Sequence, residues 1–282
     1  MTPDHEGDKR YSSPLFNNSL MKGIEVLTAF GPQNPDMNLP EIAAATGLSR
    51  SAAQRFAHTL ETLGYLRKDP RSKRYSLTPK TVEIGYRYLL VNPLIDRANP
   101  FLLELNRTSG ETVNLSEPDG TDMVYIARFA TNLHASVHMP VGRRLPMYCT
   151  ASGRAYLSLL APKYVRTLLE SAPRVRVTPT TITDIEALMD AIAMARENGY
   201  AHSDAEYYRG DLNIAVPITD AHGSPIAAVN ISAPTARWTM ERLREELVPL
   251  LLSTGRQISS EQPPLADAEP FRKGYGIMPA YP

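Results

Sequence analysis

The sequence predicts an α+β protein in two unequal parts. The first is a small helical unit closed by a hairpin, and the second is a larger unit in which helices pack on a mostly antiparallel sheet. Three observations predict this. Apolar residues recur at helical spacing through most of the first ninety positions. After Gly110 the pattern changes to short alternating stretches bounded by turn residues. Between the two regimes Asn92-Pro93 interrupts the chain, because the residue before a proline is biased away from helix.

Leu20, Ile24 and Leu27 share one side of a first helix over 19–30, with Ser19 placed to cap it. Gly31-Pro32-Gln33-Asn34-Pro35 then breaks the chain. A short second helix has Pro40 in its first turn and Ile42, Ala43 and Ala44 inside it. Gly47 ends it, where a residue without a Cβ relieves left-handed strain. The third helix is the most informative stretch: Ser49 caps it and Gly64 closes it. Ala53, Phe56, Ala57, Leu60 and Leu63 form its expected buried face. Ser51, Gln54, Arg55 and His58 repeat on the opposite face, with Arg50 at the start. Long donor-bearing side chains of that kind reach base edges and phosphates. Two short helices joined by a glycine turn, the second with such a face, describe a helix-turn-helix.

Tyr65-Leu66-Arg67-Lys68, the turn Asp69-Pro70-Arg71-Ser72 and Lys73-Arg74-Tyr75-Ser76-Leu77 read as a hairpin with a basic tip. The whole chain is neutral, yet eight basic residues between Ser49 and Lys80 face only Glu61 and Asp69, so this segment carries +6 and the remainder −6. On charge alone this is either a contact for a polyanion or a solvated charged face. Pattern, caps, turn and charge together favour a wing lying along a phosphate backbone. The candidate DNA-binding residues are therefore Ser49, Arg50, Ser51, Gln54, Arg55, His58, Arg67, Lys68, Arg71, Lys73 and Arg74. Val82, Tyr86, Leu89 and Leu90 mark a connecting helix after Thr78-Pro79, weakened by Gly85 at its centre.

The second unit opens with a helix over 94–108, bent at Pro100. Strands follow over 112–116, 123–127 and 135–139, then a corner at Gly142-Arg143-Arg144-Leu145-Pro146. Helices are expected over 151–160, 163–170 and 184–198, strands over 212–218 and 225–232, and a final helix over 240–259. The 43% of hydrophobic residues suffices to fill two cores.

The segment Cys149-Thr150-Ala151-Ser152-Gly153-Arg154 opens a helix with small residues. Its first-turn N–H groups and the helix dipole favour an anion such as a carboxylate. Asn230 and Ser232 share a strand face, and Asn213 joins them from the neighbouring strand. His134 and His138 lie four apart, but no third residue has ligand spacing, so no metal site is predicted. The one cysteine, Cys149, excludes an internal disulfide; near Arg143 and Arg144 it reads as a reactive thiol or, in the favoured reading, as a buried structural one. No catalytic triad, phosphate-binding loop, paired catalytic carboxylates or cofactor motif stands out, so no catalytic residue is predicted. No apolar run approaches the length of a membrane span, the first ten residues are polar, and a cytoplasmic location is expected.

The ordered motifs resemble the IclR-type transcriptional regulators. They are Leu39-Pro40-Glu41-Ile42-Ala43, Thr46-Gly47-Leu48-Ser49, Leu60-Glu61-Thr62-Leu63-Gly64-Tyr65, Val141-Gly142-Arg143-Arg144-Leu145-Pro146 and Ala227-Ala228-Val229-Asn230-Ile231-Ser232. After an N-terminus over 1–18 that lies outside the resemblance and is expected to be flexible, the resemblance implies a winged helix-turn-helix over 19–79 and a linker helix over 80–92. It also implies a GAF-like effector-binding and oligomerising domain over 93–260, and a proline-rich tail over 261–282, outside the resemblance, completes the expected layout. The resemblance further implies homodimers or dimers of dimers on double-stranded operator DNA, with RNA polymerase as a further partner of an activator. An effector pocket would fall on Val137, Leu145, Thr150, Ala151, Ser152, Ser203, Asn213, Asn230 and Ser232. Ser203 stands where relatives often carry an acidic residue, and Asn213 where some carry Cys. Around Met147-Tyr148-Cys149-Thr150 the chain is similar to the branch that regulates aromatic-acid catabolism, which implies an aromatic carboxylate as effector. The two competing classes are an enzyme with an appended nucleic-acid-binding module and an architectural DNA-binding protein that needs no effector.

Overall fold

The structure, a computed structural model, describes residues 13–131 and 139–260. The chain divides into two compact units that meet in sequence between Val91 and Asn92.

In the first unit, helix α1 (Asn18–Thr28) starts where the Asn17 side chain accepts from the backbone N–H groups of Ser19 and Leu20, so the cap is Asn17 rather than Ser19. Helix α2 (Leu39–Thr46) has a reciprocal cap: Glu41 N–H donates to Asn38 Oδ1 at 3.0 Å, and Asn38 N–H donates to Glu41 Oε2 at 2.8 Å. Gly47, at φ 67°, turns the chain into helix α3 (Arg50–Thr62), which the Ser49 hydroxyl caps. Strands β2 (Leu66–Lys68) and β3 (Tyr75–Leu77) form the expected hairpin. A two-residue strand the sequence did not announce, β1 (Asp36–Met37), pairs with β3, giving an antiparallel sheet of order β1-β3-β2.

Val26, Met37, Ile42, Ala53, Ala57, Leu60, Leu66 and Tyr75 make the core of this unit. The expected buried face of α3 is corrected at one end: Leu63 is 52% exposed, because the helix ends at Thr62 and Leu63 belongs to its C-cap. Leu20 and Ile24 of α1 are also exposed, the helix burying Val26 instead. After a 3-10 turn over Pro79–Thr81, helix α4 (Val82–Val91) buries none of its residues although most are apolar.

The second unit begins with α5 (Pro93–Ser109), capped by Asn92 and running through Pro100. Strands β4 (Thr112–Asp119) and β5 (Asp122–Phe129) form a hairpin. Strand β6 (Arg144–Pro146) occupies the expected corner. Helices α6 (Ala151–Ser158), α7 (Pro162–Ser171) and α8 (Ile185–Asn198) match the expected trio. The short strand β7 (Ala201–Asp204) precedes β8 (Asp211–Thr219) and β9 (Pro225–Pro234). The six strands form one antiparallel sheet of order β6-β5-β4-β9-β8-β7. The expected single final helix is two, α9 (Met240–Glu246) and α10 (Val248–Ser260). Pro249 has no N–H to continue the ladder from the preceding turn, so a new helix starts there.

Helices cover both sheet faces. Ser152 of α6 reaches Asn230 on one face, while Gly255 of α10 sits against Val216 on the other. Val216 pairs with Val229, the neighbour of Asn230, and adjacent strand residues point to opposite faces. This is the α+β, GAF-like layout. The strand expected over 135–139 lies outside the described residues except for Met139, which is buried and belongs to no strand, and His134, Val137 and His138 lie outside them entirely. No helix among the described residues is long and apolar enough to cross a membrane.

Candidate DNA-binding surface and effector pocket

On α3 the outer face is built as the helical period requires. Arg50, Ser51, Gln54, Arg55 and His58 are all exposed, while Ala53, Ala57 and Leu60 point into the core. A helix of thirteen residues is about 20 Å long, ample to lie in a major groove. Ser49 is occupied by capping: its Oγ accepts from Ala52 N–H at 3.3 Å and lies 3.1 Å from Ser51 Oγ.

The wing tip is folded by Asp69. Its Oδ1 accepts from the backbone N–H groups of Arg71 at 2.9 Å and Ser72 at 2.6 Å, and from the Ser72 hydroxyl at 3.0 Å. These donors, those of Ser72 first, hold the Asp69 carboxyl below the usual carboxylate range. The turn places Lys73 in a left-handed conformation, φ 58°, and leaves Arg67, Arg71 and Lys73 exposed. Lys68 is half-buried, its ammonium 5.1 Å from the centre of the Tyr75 ring.

Arg74, an expected phosphate contact, has partners within the protein. Its guanidinium forms an ion pair with Asp36, donates to Glu41 Oε1 at 3.2 Å and donates to the Asp36 carbonyl at 2.9 Å. Two carboxylates neutralise it, so it ties the wing to β1 and α2.

In the second unit, the expected Leu145, Thr150, Ala151, Ser152, Ser203, Asn213 and Asn230 come together around one cavity. Ser232 does not line it; its hydroxyl instead donates to Asp211 Oδ1 at 2.6 Å. Val137 is outside the described residues. Six further residues, not among those expected, line it: Tyr125, Met139, Cys149, Tyr207, Tyr208 and Asp211. Asp211 had a signal, since it lies two residues before Asn213 on an alternating strand and so shares its face.

Three hydrogen bonds run across the cavity floor. Ser152 Oγ donates to Asn230 Oδ1 at 3.2 Å, Asn230 Nδ2 to Asn213 Oδ1 at 2.9 Å, and Asn213 Nδ2 to Asp211 Oδ2 at 2.9 Å. At the helix end Thr150 Oγ1 accepts from Gly153 N–H at 3.2 Å, and Ser203 Oγ donates to the Cys149 carbonyl at 3.3 Å. Gly153 is required there, because a Cβ would run into the Met147 backbone. The walls are Tyr125, Met139, Leu145 and the edge-to-face pair Tyr207 and Tyr208, whose ring centres are 4.8 Å apart. Tyr207 Oη accepts from Arg143 Nη2 at 3.3 Å.

Burial governs the titration of this site. It raises the Asp211 carboxyl above its ordinary value against the hydrogen bonds of Ser232 and Asn213, raises the Tyr125 phenol, and pushes the Cys149 thiol up to about 12. The free space at the centre is about 20 Å³, room for one water molecule.

Known proteins match this architecture over nearly its whole described length. Residues 19–70 match the IclR helix-turn-helix domain, and residues 86–260 match the C-terminal domain of the bacterial transcriptional regulator IclR. The chain belongs to the IclR family. It is 37% identical to the Pca regulon regulatory protein of Pseudomonas putida, covering 87% of this chain and 84% of that one. It is 33% identical to the p-hydroxybenzoate hydroxylase transcriptional activator of Acinetobacter baylyi, over 85% of this chain and 89% of that one. A crystal structure of a transcriptional regulator from Rhodococcus sp. RHA1, 36% identical, superposes with a TM-score of 0.76 over 86% of this chain and 97% of that one. This IclR-family chain is thus a transcriptional regulator with a DNA-binding helix-turn-helix. The matched C-terminal domain begins inside α4, just ahead of the boundary at Val91.

Proposed function

We propose that this regulator binds operator DNA through α3 and the wing, and that a small aromatic carboxylate in the α6 cavity controls that binding at a catabolic operon. The observation that carries the reading is the cavity itself, in which aromatic walls enclose a polar floor beside the first turn of α6. Three tyrosines and two apolar side chains suit a flat ring. The first-turn N–H groups of α6 suit its carboxylate. The 33% identity to an activator of a p-hydroxybenzoate hydroxylase supports the aromatic class.

On the DNA side the proposed contacts are Arg50, Ser51, Gln54, Arg55 and His58 for base edges and the nearest phosphates. Arg67, Lys68, Arg71 and Lys73 would contact backbone phosphates. Ser49 acts by capping α3, and Arg74 by fixing the wing.

The cavity is narrow, and ligand entry would displace the segment between β7 and β8, which forms part of its wall. That segment carries Tyr207 and Tyr208 into the cavity, and its Glu206 grips Arg154 of α6 at 2.6 Å. Ligand entry is thereby coupled to α6 through one short loop. The exposed apolar residues of α4, among them Val82, Ile84, Leu90 and Val91, and those of α1, Leu20 and Ile24, support a homodimer, which a two-fold operator would require. We assign no turnover to the cavity and place the protein in the cytoplasm with its DNA. RNA polymerase would be a partner if the protein activates.

A thermal-shift screen of the full chain against aliphatic and aromatic carboxylates tests the reading. A saturable rise with an aromatic acid is expected, since a ligand of the native state stabilises it by mass action. A flat response to every carboxylate overturns the anion pocket.

A further inference from the structure

We propose that Asp211 is the specificity-determining residue of this pocket. It selects, among aromatic carboxylates, one that carries a hydroxyl group on its ring, an inference that rests on the aromatic-carboxylate reading above.

Asp211 is the only carboxylate among the described residues that line the cavity. The side chains around it are held in a fixed sense. Ser152, Asn230 and Asn213 each donate to the next, and the last donor meets Asp211 Oδ2. Ser232 donates to the other oxygen at 2.6 Å. The donors of this row therefore point toward Asp211, which terminates it as an acceptor. An ionised carboxylate has about four acceptor positions, and these two donors leave capacity for a third.

That arrangement fixes what a ligand must present there. A hydroxyl group donates to the carboxylate and completes its shell. A bare ring edge or a methyl ether buries the carboxylate without a donor, and a second carboxylate on the ligand adds like charge at close range. A site built to take a hydroxyl discriminates more sharply against an analogue lacking it than an apolar wall discriminates by shape. The burial that raises the Asp211 carboxyl makes the same point, because the ionised group has little water to fall back on.

Calorimetric titration of the full-length protein with benzoate, 3-hydroxybenzoate, 4-hydroxybenzoate, 4-methoxybenzoate and benzene-1,4-dicarboxylate tests this. In the unsubstituted protein, one hydroxybenzoate should bind about tenfold or more tighter than benzoate or the methyl ether, and the dicarboxylate weakest. In Asp211→Asn the hydroxy acid should lose that advantage and the dicarboxylate should gain. Benzoate binding as tightly as both hydroxy acids would overturn the proposal while leaving the carboxylate pocket standing. The same preference persisting in Asp211→Asn would also overturn it. Absence of binding by all five acids would overturn both readings together. The comparison within the unsubstituted protein decides the matter even if the variant folds poorly.

Discussion

Arg154 and Glu206 form a two-pronged ion pair, Nη1 to Oε1 and Nη2 to Oε2, both at 2.6 Å, with both side chains almost fully buried. Arg154 also donates to the carbonyls of Tyr148 and His202, and Glu206 accepts from Ile182 N–H. The pair joins α6 to the loop that carries Tyr207 and Tyr208.

Removing one partner leaves the other buried without compensation. Glu206→Gln should therefore cost about 3–5 kcal/mol in stability. Chemical denaturation would read this as a lower midpoint with an unchanged slope. A loss under 1 kcal/mol would mean that the pair is solvated and does not brace the loop.

On the DNA side, two substitutions separate two kinds of contact. Arg55→Ala should weaken binding to the preferred sequence and relax discrimination at one base pair by about 1–3 kcal/mol. Lys73→Ala should weaken binding to all sequences and reduce the salt slope by about one. Anisotropy titrations over a salt series measure both. An unchanged slope for Lys73→Ala would remove the wing tip from the phosphate contacts.

Asp211 gives a pH signature. Its carboxyl is raised from 3.8 by burial, so in the window above 3.8 the native state binds protons more readily than the unfolded chain. The resulting stabilisation is full below 3.8 and is lost as pH rises through the native value. Asp211→Asn cannot titrate. The melting temperature of the unsubstituted protein minus that of the variant should therefore increase toward acid. A difference that is flat between pH 4 and 7 would contradict the burial of this carboxylate.

Cys149 sits in the same cavity with its thiol pushed up to about 12 from 9.0. Its thiolate population near neutrality is about a thousandfold below that of a free cysteine, so iodoacetamide should alkylate it far more slowly in the native protein than in denaturant. Mass spectrometry of timed reactions would show this. Equal rates would place the thiol in solvent.

The elements legible in the sequence are those whose causes are local. Ser49, Gly47 and the helical period fix α3 within a few neighbouring residues, and Asp69 folds the wing tip within four. What escaped notice depends on distant partners. Strands β1, β6 and β7 are two to four residues long, too short to alternate, and exist because β3, β5 and β8 pair with them. Arg74 reads as one more wing cation until Asp36, thirty-eight residues upstream, is brought beside it. Tyr207 and Tyr208 lie in a polar loop with no periodicity, and only the fold aims them into the cavity. Ser232 has the parity of Asn230 but stands one step further along the strand, where Asp211 takes its hydroxyl.

Occupancy of the α6 cavity is proposed to change the grip on DNA. The most direct test measures affinity for a duplex that the protein itself selects from a random pool, with and without a saturating aromatic carboxylate, in the unsubstituted protein and in Asn230→Ala. The expected result is a saturable, ligand-dependent change in affinity that Asn230→Ala loses while keeping its ligand-free affinity. An unchanged affinity in the unsubstituted protein, or the same change in both, would contradict it.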